Sequence, residues 1–216
     1  MIQYLENMHK INNLKKKLKD GQEVIGTWSS LSSPNVINVL GTTGLDFVVI
    51  DMEHGVINHN HLVEIIRAIE INSVLPLVRV VIGNSQECKK ALDAGASGIV
   101  IPMVENSKQL KEIISFCKYP PAGQRGVAFS RANMFGKNFK KYLDNFAQSP
   151  IIIAMIENKK GVKNLNQILK VKGLDGILIG PYDLSASLNC PGDFQNNNFL
   201  KSISFIKNNS IKNNIP

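Results

Sequence analysis

Six short apolar runs recur along this chain, each continuous rather than alternating, with helical patterns between them. They fall at residues 25–29, 47–52, 77–81, 98–103, 151–156 and 176–179. A strand with one wet face alternates apolar and polar side chains, whereas a strand covered on both faces reads apolar throughout. The segments between the runs carry helix signals. Ser33-Pro34 puts a proline in a first turn, and Gly41 lies near that helix's end. Further helices are expected over residues 61–71, 85–93, 107–117, 159–169 and 198–208, the one at 85–93 being stopped by Ala94-Gly95. Alternating β and α units of this kind predict an α/β fold with a parallel sheet, closed or open.

Length and composition fit this expectation. A chain of 216 residues, 44% hydrophobic and 19% charged, suits one domain with a sizeable core. No apolar run is long enough to span a bilayer. Residues 1–20 lack the apolar core of a signal peptide and read as a basic amphipathic helix, with Leu5, Met8, Ile11, Leu14 and Leu18 near one face. The net charge of +8 does not imply nucleic acid. Much of the lysine sits in residues 10–19 and 201–212, with no interleaved aromatics and no recognised binding module. Neither a nucleic-acid nor a membrane partner is expected. Cys88, Cys117 and Cys190 are widely spaced and form no CxxC pair, the usage of a reducing cytoplasm.

Polar residues collect where the runs end. Asp51, Glu53 and His54 follow the second run, Arg79 lies in the third, Glu157 ends the fifth, and Asp183 follows the sixth. In a TIM barrel, active sites lie at the C-terminal ends of the strands. Glu157 and Asp183 are hard oxygen donors, and two carboxylates with water completing the shell suit Mg²⁺ or Mn²⁺. Left to themselves they would make a salt bridge and a helix cap. His54 has the chemistry of a general base near neutral pH. Arg79, inside an apolar strand, requires a polar partner: a bound carboxylate or an internal ion pair with Asp51 or Glu53. Asn58-His59-Asn60-His61 looks metal-like but reads better as a helix opening, with Asn as cap. Residues 119–150 are a long excursion bearing Pro and Gly, of the kind that often forms a functional loop or lid.

Several segments together resemble the HpcH/HpaI aldolase family, the metal-dependent pyruvate aldolases. They are Gly26-Thr27-Trp28, Gly44-Leu45-Asp46-Phe47, Asp51-Met52-Glu53-His54-Gly55, Val78-Arg79-Val80 and Leu92-Asp93-Ala94-Gly95-Ala96. Ile101-Pro102-Met103-Val104, the stretch from Tyr119 through Arg125-Gly126-Val127, Glu157, and Gly180-Pro181-Tyr182-Asp183-Leu184-Ser185 complete the series in family order. The resemblance implies a TIM (β/α)8-type barrel that makes or splits a carbon–carbon bond between pyruvate and an aldehyde, the substrate for cleavage being a 4-hydroxy-2-oxo acid. It implies a divalent cation (Mg²⁺, Mn²⁺ or Co²⁺) on Glu157 and Asp183, stabilising a pyruvate enolate. It gives Arg79 the task of stabilising charge on the substrate oxygen and His54 that of acid-base group. Asp93 would raise the basicity of His54, with Asp51 a second candidate partner. The segment Pro181-Tyr182-Asp183 would offer backbone N–H groups to the substrate carboxylate, and a homo-oligomer, a hexamer in the family, is implied.

The sequence departs from the family in three places. Met155 stands where many members carry a substrate-touching Gln. Tyr182 stands where small residues are common. Only six βα units are countable in residues 1–216, so the last two units and the final helix of the family barrel are missing from this reading. Two alternatives stay open beside the aldolase: a lyase of the citrate-lyase β or malyl-CoA type, and a non-catalytic barrel serving as a binding or assembly partner.

Overall fold

Each apolar run pairs in parallel with the next, giving one six-stranded sheet in the order β1-β2-β3-β4-β5-β6. The computed structural model describes residues 2–145 and 150–216. The strands are β1 (Gly26–Ser29), β2 (Phe47–Asp51), β3 (Leu75–Arg79), β4 (Gly98–Ile101), β5 (Ile151–Ile156) and β6 (Gly176–Ile179). The helices are α1 (Ile2–Lys19), α2 (Pro34–Gly41), α3 (His59–Ile71), α4 (Ser85–Ala94), α5 (Ser107–Phe116), α6 (Phe139–Asn145), α7 (Lys159–Lys163), α8 (Leu165–Ile168), α9 (Pro181–Ser187) and α10 (Asn197–Asn213). Sequential order and exclusively parallel pairing make a curled half-barrel with its helices outside. Beside β6, the N–H of Ile177 donates to the carbonyl of Pro216 (2.9 Å).

Strand period two sorts the apolar residues into two cores. Val48, Ile50, Val78, Ile99, Ile101, Ile152, Ala154 and Ile156 face the helices. Val49, Leu75, Leu77, Val100, Ile151 and Met155 face the interior of the curl, where they meet Ile11 and Leu14 of α1. Burying both faces is why the strands read apolar throughout.

Asparagine starts many of the helices. The side chains of Asn58, Asn84, Asn106, Asn158 and Asn196 accept from backbone N–H groups at the openings of α3, α4, α5, α7 and α10. Each cap of this type contributes about 1 kcal/mol. Asn58 is therefore a cap, as its motif suggested. Gly95 ends α4 at φ 111°, a left-handed conformation that glycine adopts without strain.

α1 seals the N-terminal mouth of the half-barrel. Lys15 reaches the carbonyl of Pro150 (3.1 Å) and Asp175 (3.0 Å), just before β5 and β6. Lys17 reaches Asp46 (2.7 Å), just before β2. Met8 and Leu18 pack there as the amphipathic pattern predicts; the side chain of Leu5 lies outside the described residues. Among the described residues no helix is long and apolar enough to cross a membrane. Cys88, Cys117 and Cys190 are buried free thiols.

Several expectations need correction. β3 starts two residues earlier than its apolar run, at Leu75, and contains Pro76. The proline costs the ladder nothing there. Its carbonyl faces the β4 side, accepting from Ser97 just before β4 begins, so its missing N–H lies beyond the pairing with β4. The helix expected over 159–169 breaks at Asn164 into α7 and α8. Of the functional loop or lid expected at 119–150, the described residues form a loop that does not cover the strand C-termini. It leaves the end of α5 and enters the start of β5, so it belongs to the N-terminal side of the sheet. There Tyr119 and Tyr142 enter the interior core. Residues 146–149 of that excursion lie outside the described residues.

Candidate active site

Strand parity and direction place the chemistry. Val49 faces the interior, and so does Asp51 two residues later; Leu75 and Leu77 lead to Arg79, and Met155 leads to Glu157. All three polar residues therefore occupy inward positions at the C-terminal ends of their strands. β2 and β3 pair with Asp51 beside Arg79. The Arg79 guanidinium grips Asp51 through Nε (2.9 Å) and Nη2 (2.6 Å), and the Trp28 ring lies 4.7 Å from its central carbon. Of the two alternatives for Arg79, the structure forms the internal pair.

Asp51 also organises the turn that follows. Its Oδ1 accepts from the backbone N–H groups of Glu53 (3.1 Å) and His54 (3.2 Å). Gly55 completes this turn because an added Cβ would collide with the Asp51 carbonyl. Burial pushes the Asp51 carboxyl up, but the Arg79 bond, the His54 N–H and the Arg79 charge outweigh it and hold the group below the usual range. Asp51 thus supports the His54 backbone and positions Arg79.

Glu53 stands on the other side of Arg79. Its Oε2 lies 3.1 Å from Nη1, yet that buried oxygen has no hydrogen-bond partner. The contact is coulombic without hydrogen-bond alignment. Burial raises the Glu53 carboxyl, and the Asp51 and Asp183 charges add to the rise against the opposing Arg79 and His54.

Glu157 is buried and accepts the Met103 N–H through Oε1 (2.5 Å). Gly180 is essential to this placement, since a Cβ there would strike the Glu157 carboxylate. Burial pushes the Glu157 carboxyl up, and the Glu53 and Asp183 charges reinforce that effect. Asp183 lies in the first turn of α9, exposed, three residues beyond Gly180.

A cleft of about 520 Å³ opens here, lined by His54, Arg79 and Asp183 and by apolar side chains that include Met155 and Tyr182. His54 sits exposed at its rim. Among the described residues Asp51, Glu53 and Glu157 bear on Arg79 and Asp183 lines the same cleft, and two of these carboxyls are raised by burial, reinforced by their acidic neighbours. A divalent cation is a physical remedy for such an excess. Among the described residues no three His, Cys, Asp or Glu side chains form a complete cage. Two carboxylates plus water or substrate oxygens are the donor set that Mg²⁺ accepts, so Glu157 and Asp183 fit the group.

Asp93 is not brought to His54 within the chain. It ends α4, on the N-terminal side of the sheet, and accepts from Arg125 (2.6 Å). The sequence offers Glu53 only as an ion-pair partner for Arg79 and Trp28 only as part of a motif, yet both flank the guanidinium. A lone tryptophan at the end of an apolar run was the available signal for the latter. Nothing in the sequence marked Gly180 as the space for Glu157.

The family model for HpcH/HpaI aldolase/citrate lyase matches residues 24–215 of this chain. A hydroxypyruvate/pyruvate aldolase of Roseobacter denitrificans is 37% identical over 184 residues, 82% of this chain and 70% of the relative. A 2-keto-3-deoxy-L-rhamnonate aldolase of Salmonella gallinarum is 36% identical over 182 residues, 83% of this chain and 68% of the relative. The crystal structure of an HpcH/HpaI aldolase/citrate lyase family protein from Burkholderia cenocepacia superposes with a TM-score of 0.89 at 30% identity, covering 94% of this chain and 82% of that one.

Proposed function

The chain belongs to the HpcH/HpaI aldolase/citrate lyase family, and from that premise we propose that it is a lyase cleaving a 4-hydroxy-2-oxo acid to pyruvate and an aldehyde. The observation that carries this reading is the convergence of Arg79, Asp183 and, at the rim, His54 on one cleft at the strand C-termini, with Glu157 buried close enough to feel the Asp183 and Arg79 charges. A divalent cation on Glu157 and Asp183 supplies, when bound, a Lewis acid for the carboxylate and keto oxygens of the substrate.

The chain's own residues do the rest. His54 takes the proton of the C4 hydroxyl as the C3–C4 bond breaks, and C4 becomes the aldehyde carbon. The bonding electrons pass to the keto oxygen, where the Arg79 N–H groups stabilise the growing charge. Asp51 and Trp28 fix the guanidinium, so it need not reorganise as charge develops. Proton return to C3 then yields pyruvate. Met155, Tyr182 and the first-turn N–H groups of Tyr182 and Asp183 are read as substrate contacts.

Aldolase-named relatives at 36–37% identity favour this reading over a CoA-thioester lyase. Residues 1–216 are read as one barrel domain, working in the cytoplasm. A homo-oligomer belongs to the same proposal. Asp93 and His54 lie at opposite ends of strands about 15 Å long, so the implied pairing would join two copies. The test is aldol cleavage with Mg²⁺, Mn²⁺ or Co²⁺, with and without EDTA. Activity is expected to need the cation and to vanish in Glu157→Ala; activity that survives both treatments sinks the mechanism.

A further inference from the structure

The cleft has two chemical halves. His54, Arg79 and Asp183 supply its charge and its imidazole, while Trp28, Met155, Leu178 and Ile179 form apolar wall. In the proposed reaction Arg79 and Asp183 serve the 2-oxo acid and His54 serves the C4 hydroxyl, so the aldehyde beyond C4 is left to apolar surface and Tyr182. Tyr182 is 70% exposed, a setting in which a tyrosine ordinarily changes rotamer freely. Here it is braced. Phe194 meets its ring edge-on, with centroids 5.1 Å apart at 77°. Phe194 rests in turn on Phe199 at 5.3 Å, and Phe199 is anchored in the core between sheet and helices. Three rings thus run from the core to the mouth of the cleft, beside Asp183.

We propose that Tyr182, held by Phe194, selects the aldehyde and favours an apolar substituent over a polyhydroxylated one. The inference rests on the aldolase reading. A polyol placed here would exchange water for Trp28, Met155 and Leu178, with the phenol left to answer its hydroxyls beyond C4, and unpaired hydroxyls against apolar wall are costly. An alkyl or aryl substituent meets ring and aliphatic surface instead. Phe194 touches no reacting atom and is a positioning residue.

The experiment separates the two levels. Mg²⁺-dependent exchange of pyruvate methyl protons into D₂O, followed by NMR, requires no aldehyde and reports the pyruvate half. Aldol addition is then measured with propionaldehyde and with glyceraldehyde. Wild type is expected to favour propionaldehyde by at least about tenfold in kcat/KM. Tyr182→Ala should lose most of that preference and Tyr182→Phe should keep it. Phe194→Ala should weaken it through the aldehyde KM while pyruvate exchange stays within about twofold, and Phe194→Tyr should restore it. A Tyr182→Ala enzyme with the wild-type preference, or a wild type that favours glyceraldehyde, overturns the proposal. Parallel losses of exchange and melting temperature in Phe194→Ala overturn the bracing role. No exchange in wild type refutes the aldolase reading, and the proposal with it; exchange without discrimination refutes the proposal alone.

Discussion

The two ends of the half-barrel each hold a buried arginine, an acid and aromatic rings, yet they do opposite things. At the N-terminal end, Arg125 is 2% exposed, bonds Asp93 (2.6 Å) and the Tyr142 hydroxyl (2.9 Å), and lies over the rings of Tyr119 and Tyr142. Around it Arg131 pairs with Glu70 and the Ala94 carbonyl, Lys15 with Asp175, and Lys17 with Asp46. Burial pushes the Tyr142 hydroxyl up to about 12, so it stays a neutral partner for Arg125. Charge here is matched by charge. At the C-terminal end, Arg79 is gripped by Asp51, touched by Glu53 and within the field of Glu157, beside an open cleft that Asp183 also lines, and two of the four carboxyls are raised. The chemistry of the residues is alike at both ends. Imbalance and access set the proposed working end apart from the charge-matched one.

The sharpest way to break this contrast is at Glu157. Glu157→Gln should abolish cleavage, with a loss in kcat/KM beyond about 10³-fold, while the melting temperature holds or rises because an uncompensated buried charge has gone. A large fall in melting temperature with activity retained would make the two ends equivalent. Arg79→Met should cost roughly 10²–10³-fold in kcat, read in steady-state kinetics. Arg125→Met should leave the kcat of the folded enzyme near wild type while costing about 3 kcal/mol of stability by leaving Asp93 without its cation, read by denaturant melts beside the kinetics. A catalytic loss without destabilisation in that variant would reverse the assignment of the ends.

The pH response is a smaller effect, and its sign differs between groups. Glu157 and Glu53 have raised folded values, so the folded state holds more protons and stability falls as pH rises through them. Asp51 is lowered, so its contribution is present above its unfolded value and lost as pH falls through the folded one. The melting-temperature gain of Glu157→Gln over wild type should therefore fade as pH drops from 7 toward the ordinary glutamate value of 4.5 and Glu157 takes up its proton. A gain that grows on acidification contradicts the repulsion.

Much of this contrast was legible in the sequence because strand period and strand direction are local properties. β5 and β6 match their apolar runs residue for residue, since Pro150 precedes one and Gly176 opens the other. Asp51 and Glu157 were placed at strand ends by the same logic, whereas Arg79 fell inside its run at 77–81 and proves to end β3. What motif and length left unplaced was the end of the sheet to which two segments belong. The excursion after Tyr119 follows a helix, and Asp93 ends one; both therefore belong to the N-terminal side, a rule of βα topology that length and motif alone do not express. The Arg125–Asp93 pair spans 32 positions and depends on packing that no local pattern reports.

Titration of Mn²⁺ into the protein by calorimetry, with and without pyruvate, tests the central claim most directly. The account predicts one cation per chain, bound more tightly with pyruvate present and lost in Glu157→Gln, while Arg125→Met molecules that remain folded still bind it. Equal binding by wild type and Glu157→Gln, or none by either, would contradict it.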